Sequence, residues 1–191
     1  MVVVGRRDAG GACASLTCAG GRTGSLPPSS AGGRPPPPNN CRTEWTSTSL
    51  PTGWIIAESG TAANTSYTAG TGSSNTGDTY SFGAAASADR TLGGLRTGSL
   101  APSFGGSFIN NTGSTITSLR IAYTGKQWRL GGTGRNDRLD FQYSTDATTL
   151  TDGTWLDVDQ LDFIAPNSTG TVGALDGNAG ANSGPVAFTI T

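Results

Sequence analysis

The chain is 191 residues long, enough for one domain with its own core, and only 13% of its residues are charged, about half the usual share for soluble domains. It contains no His, which removes Ser-His-Asp and Cys-His catalysis, His-ligated zinc and the usual general base near neutral pH. Residues 1–45 carry five Arg against Asp8 and Glu44, whereas residues 46–191 carry seven basic against eleven acidic groups, so the second part lacks the basic stripe that nucleic acid requires.

Residues 1–45 are rich in Gly, Ala, Arg and Pro, and Pro35–Pro38 favours polyproline II. Little there could offset the entropy of folding, so this stretch is expected to be a disordered tail. Cys13, Cys18 and Cys41 all fall within it. An odd count outside the patterned region argues against a disulfide framework and a four-Cys metal site. Val2-Val3-Val4 is too short for the apolar core of a signal peptide, and no run is long enough to span a bilayer.

From Trp54 onward, short apolar runs alternate with turn residues. The expected strands are 54–58, 79–83, 107–110, 117–123, 127–130, 139–144, 155–158 and 186–190. Leu119, Ile121 and Tyr123 alternate with Ser118, Arg120 and Ala122; Leu139, Phe141 and Tyr143 alternate with Asp140, Gln142 and Ser144. A period of two marks half-buried antiparallel strands. The last run places Val186, Phe188 and Ile190 inward. Turn signals lie at 75–78, 110–114, 131–134 and 176–178, and no window sustains a helical period. The expected fold is all-β, an antiparallel jelly-roll-like (concanavalin-like) β-sandwich over residues 46–191.

Five segments carry a resemblance: Leu50–Trp54, Gly77–Gly83, Asn110–Ile116, Tyr123–Arg129 and Asp137–Ser144. In that order they resemble a bacterial extracellular module of unassigned function. The module accompanies secreted endonuclease/exonuclease/phosphatase domains, lamin-tail domains and surface-sorting segments. The resemblance covers about residues 48–191. It implies an extracellular or cell-surface location and covalently adjacent domains in a longer protein. Lys126 stands where that family usually has Glu, and the family usually continues into further strands, so the resemblance implies a copy lacking its closing strands.

Asp157-Val158-Asp159-Gln160-Leu161-Asp162 is the densest acidic segment. Alternation would put Asp157 and Asp159 on one face, as a retaining glycosidase requires of two carboxyls, but both are the short Asp and Asp162 falls opposite. Three carboxylates in six residues also suit calcium, a hard cation that takes oxygen ligands, while a solvated strand end is the plainer alternative. Trp128, Arg129, Arg138 and Tyr143 form a second set, which could stack on a sugar ring. The plainer alternative buries Trp128 and Tyr143 in the core and pairs Arg129 locally.

The function expected from these readings is a non-catalytic accessory module that spaces, tethers or targets a larger protein, with a surface polysaccharide or other extracellular polymer as partner. A purely structural spacer without a ligand is the first alternative, and a glycosidase using residues 157–162 the second. No cofactor is expected apart from calcium at Asp157, Asp159 and Asp162, and neither nucleic acid nor a membrane span.

Overall fold

The computed structural model describes residues 48–191 apart from Pro51 and Ala88, together with the backbone of Val2–Asp8 and Cys13–Ser15. Fourteen strands are assigned among these residues. They are β1 (Val2–Asp8), β2 (Cys13–Ser15), β3 (Trp54–Ser59), β4 (Thr68–Gly70), β5 (Asp78–Phe82), β6 (Thr91–Leu95) and β7 (Ala101–Ser107). There follow β8 (Leu119–Lys126), β9 (Arg129–Leu130), β10 (Arg138–Ser144), β11 (Leu156–Asp157), β12 (Phe163–Ile164), β13 (Gly173–Ala174) and β14 (Ser183–Ile190). The described helices are two short 3₁₀ turns, Asp159–Leu161 and Gly180–Asn182, so the fold is all-β. No helix among the described residues is long and apolar enough to cross a membrane.

The largest sheet runs β11-β10-β1-β7-β3, with β12 also on β10; a second runs β14-β8-β2 and a third β4-β5-β6, while β13 pairs β9. The alternation in β8 and β10 decides how the first two sheets meet. Ile121 and Tyr123 of β8, Leu139 and Phe141 of β10 and Phe104 of β7 are buried in one cluster. Trp54, Ile56, Tyr143, Val186 and Ile190 pack against it. Fully burying each large side chain contributes roughly 1.5–3 kcal/mol, so this shared interior is the main stabilising feature. Gly125 is required within it. A Cβ there would stand 2.0 Å from the Phe163 ring, which lies directly over β8.

Several sequence expectations are corrected. The strand placed at 107–110 is β7, ending at Ser107; Ile109 is 82% exposed because the apolar pair Phe108-Ile109 lies in the following loop. The all-antiparallel expectation fails at β4–β5, which pair in parallel. Both strands are so short that residues 71–77 can return the chain. Phe188 lies opposite Ile121 in the β14–β8 register but stays 39% exposed, since β14 is an edge strand. Within the expected disordered tail, Val2–Asp8 and Cys13–Ser15 are strands; the rest of that stretch, with Cys18 and Cys41, lies outside the described residues.

Candidate functional site

β10 presents Arg138, Asp140 and Gln142 on the face opposite its core residues. β11 and β12 pair along the same edge of β10, with Asp157 opposite Gln142 and Ile164 opposite Arg138. Between them the 3₁₀ turn drops Val158 and Leu161 into the core. The turn interrupts the ladder, and two groups repair it. The Val158 N–H donates to the Phe141 carbonyl at 3.1 Å, and the Phe141 N–H donates to Asp162 Oδ1 at 2.8 Å.

This geometry gathers Asp140, Asp157 and Asp162, with carboxylate oxygens all within 4.8 Å of one another. Arg138 closes the group: Nη2 lies 2.9 Å from Asp140 Oδ1 and Nη1 3.1 Å from Asp162 Oδ2. Gln142 Nε2 donates to Asp140 Oδ2 at 3.2 Å. Burial pushes the Asp162 carboxyl above its ordinary range, outweighing the Phe141 N–H and Arg138, with Asp157 and Asp159 adding in the same direction. Beneath it, the Tyr123 hydroxyl donates to the Leu161 carbonyl. Burial, then the Asp162 charge, raises that phenol's pKa.

The set expected for calcium was Asp157, Asp159 and Asp162, so the structure keeps two members and exchanges the third. Asp159 opens the 3₁₀ turn and does not share a strand face with Asp157, because the turn ends the alternation there. Asp140 takes its place. The sequence places Asp140 only on the strand face opposite Leu139, Phe141 and Tyr143, with no role; the signal available was Arg138-x-Asp140-x-Gln142 on one face of a single strand. An all-oxygen donor set suits a hard cation chemically. Arg138 already pairs with two of the three carboxylates and one Asp162 oxygen serves the Phe141 N–H, so a cation would have to compete with the contacts of the fold for these oxygens.

The second expected set is dispersed. Trp128 is 2% exposed and stacks against Phe82 in a separate cluster with Tyr80 and Leu95. Its indole rests on Gly177, where a Cβ would approach to 2.5 Å. Arg129 donates through Nη1 to the carbonyls of Gly72 and Ser73 at 3.0 and 3.1 Å, so it pairs with backbone rather than with an acid. Tyr143 is half-buried against the main core, and Arg138 belongs to the acidic group. Lys126 donates to Asn178 Oδ1 at 2.6 Å.

A feature with no signal in the sequence is the clasp around Gln127, which is wholly buried. Its Oε1 accepts from the N–H and the side-chain amide of Asn167 at 2.9 and 3.1 Å, and its Nε2 donates to the Asn167 carbonyl at 2.9 Å. Comparisons of the chain with protein-family models, with curated proteins and with solved structures found no match.

Proposed function

We propose that this chain is a non-catalytic spacer module with a jelly-roll-like sandwich, holding or tethering neighbouring domains of a secreted or cell-surface protein. The supporting observation is the direction of its polar aromatic side chains. Tyr67, Tyr80, Tyr123 and Trp128 are buried, and Trp54, Tyr143 and Trp155 are half-buried. Among the described residues, no Tyr or Trp is exposed. Sugar recognition on a β face needs flat rings turned to water, with a polar neighbour to fix the hydroxyls. Here four of those rings fill the interior and three are half-covered by it, and the nearby arginines are held by carbonyls or carboxylates of the fold itself.

This reading favours spacing over targeting through carbohydrate. Affinity electrophoresis through gels containing soluble polysaccharides tests it, with unchanged mobility as the expected result. Saturable retardation by any one polysaccharide would overturn the spacer reading and restore carbohydrate binding. The glycosidase alternative, with Asp157 and Asp159 as its carboxyls, has no support from a strand face shared by the two.

A further inference from the structure

The middle of the main sheet is not filled by a sequence neighbour. β1 lies between β10 and β7 and is antiparallel to both: Val2–Asp8 runs opposite Ser144–Arg138 on one side, and Val2–Arg6 opposite Ser107–Ser103 on the other. Without it, β7–β3 and β10–β11/β12 would be two ladders with facing unpaired edges. Each backbone group left buried without a partner costs about 1–3 kcal/mol, so a slot of this kind must be filled. We propose that the slot between β7 and β10 is a strand acceptor that takes Val2–Asp8 from a second copy of this chain as well as from its own.

Three observations carry this. The strand is joined to the rest of the fold through residues 16–48, which hold Pro27-Pro28, Pro35–Pro38 and several glycines, and the Ser49 and Gly53 carbonyls that follow are bonded to Tyr67 and Ser107 of the fold. A connection of that length reaches on the order of 100 Å when extended, so covalent linkage does not dictate which copy supplies the strand. The arm is also a complete unit: Val2–Asp8 enters one sheet, and Cys13–Ser15 pairs with Lys126–Thr124 in the other. Finally, everything the arm contributes to both ladders is antiparallel backbone pairing, which an identical arm reproduces residue for residue. Val2-Val3-Val4 also favours an extended backbone. Such an exchange closes a symmetric dimer, and a tethered arm outcompetes a foreign one until protein concentration approaches the effective concentration set by the connection.

The test uses the full chain with Val2→Cys and Ser107→Cys, a pair opposite each other in the β1–β7 register. Equal amounts of ¹⁴N- and ¹⁵N-labelled chains are unfolded, mixed and refolded at micromolar or millimolar concentration, then oxidised and digested. The expected result is a Val2→Cys/Ser107→Cys cross-linked peptide of single isotope composition at micromolar concentration. At millimolar concentration, mixed-isotope pairs should appear together with a dimer on size exclusion. Single-isotope pairs at both concentrations would overturn exchange. Failure to form the cross-link at all would remove β1 from the slot. As an independent check, Val4→Pro in the full chain disrupts pairing with Gly105 and Gln142; it is expected to lower the melting temperature and abolish the cross-link. An unchanged melt would also remove β1 from the slot.

Discussion

Two acid-bearing regions flank β10, and they treat the same side chain in opposite ways. At its start, Asp140 and Asp162 are largely withdrawn from water and gathered around Arg138. Beyond its end, the loop 145–155 crosses the back of β3, where Leu150 is buried against Ile55, Ala57, Ala147 and Trp155. Its carboxylates stay in solvent and act as acceptors: Asp152 receives the Thr148 and Thr149 N–H groups at 2.8 and 2.9 Å and the Thr148 hydroxyl at 2.5 Å. Asp146 receives the Thr154 N–H at 2.8 Å and the Ser144 hydroxyl at 2.7 Å. One region uses charge against charge with little water; the other uses neutral donors with water all around. The first should therefore respond to losing its cation, and the second to losing its charge.

The largest effect is expected from Arg138→Met. Removing one partner of a buried ion pair costs roughly 3–5 kcal/mol, because the remaining charge stays desolvated. The Arg138 side chain keeps 37% of its surface in solvent, so the expected loss is about 2 kcal/mol in urea unfolding. A change within about 0.5 kcal/mol would mean that the group behaves as an exposed pair and that the contrast with the loop is illusory.

Legibility in the sequence follows the same division between what is local and what is set by register. β8 and β10 could be read because one face of each is buried, and the period of two survives in Leu119–Tyr123 and Leu139–Tyr143. β6 could not, since Thr91-Leu92-Gly93-Gly94-Leu95 offers glycines where a hydrophobic signal would be. Gly94 is nevertheless needed, as a Cβ there would meet Pro102 at 2.3 Å. Asp157 and Asp162 were visible as neighbours in sequence. Asp140 was not, because its proximity depends on how β11 and β12 pair with β10. Asp159 opens the 3₁₀ turn and lies outside that group, and nothing in the sequence marks where the strand gives way to the turn. Trp128 and Tyr143 could serve a platform or, more plainly, a core, and packing distinguishes the two.

Acid sharpens the contrast further. Asp152 is held down at about 2 by the Thr148 hydroxyl, then by the Thr149 and Thr148 N–H groups. Asp146 is also lowered, first by the Thr154 N–H. For both, the folded pKa lies below the unfolded value, so their contribution is complete above the ordinary carboxylate range and is lost as pH falls through the folded pKa. Asp162 has the opposite sign. Its folded pKa is raised, so folding favours its protonated form, and the stability it contributes declines as pH rises from the ordinary value through the raised one. Carboxyl carbon NMR should show Asp162 titrating above a normal Asp and Asp152 near pH 2. The reverse order would break the comparison.

A smaller, local response is expected in the loop. Asp152→Asn keeps the shape but exchanges one acceptor oxygen for a donor and removes the charge that strengthens all three bonds. Amide exchange at Thr148 and Thr149 should accelerate while exchange in β8 and β10 stays unchanged. Uniform acceleration across the core would mean that the loop is integral to global stability.

The smallest effect should come from calcium. A ligand that binds only the folded chain raises its melting temperature through mass action, so comparing millimolar Ca²⁺ with chelator reads the affinity of the acidic group directly. Asp140, Asp157 and Asp162 present the oxygen chemistry such an ion takes, but Arg138 lies about 3 Å from two of them, and a dication beside a guanidinium is repelled. No shift is therefore expected in the native chain. In Arg138→Gln the repulsion is gone and the three carboxylates remain, so Ca²⁺ should recover part of the melting temperature that this substitution costs. A rise in the native chain equal to that in the variant would show that Arg138 swings clear at no cost. The guanidinium would then be a tenant of the acidic group rather than the charge that holds it together.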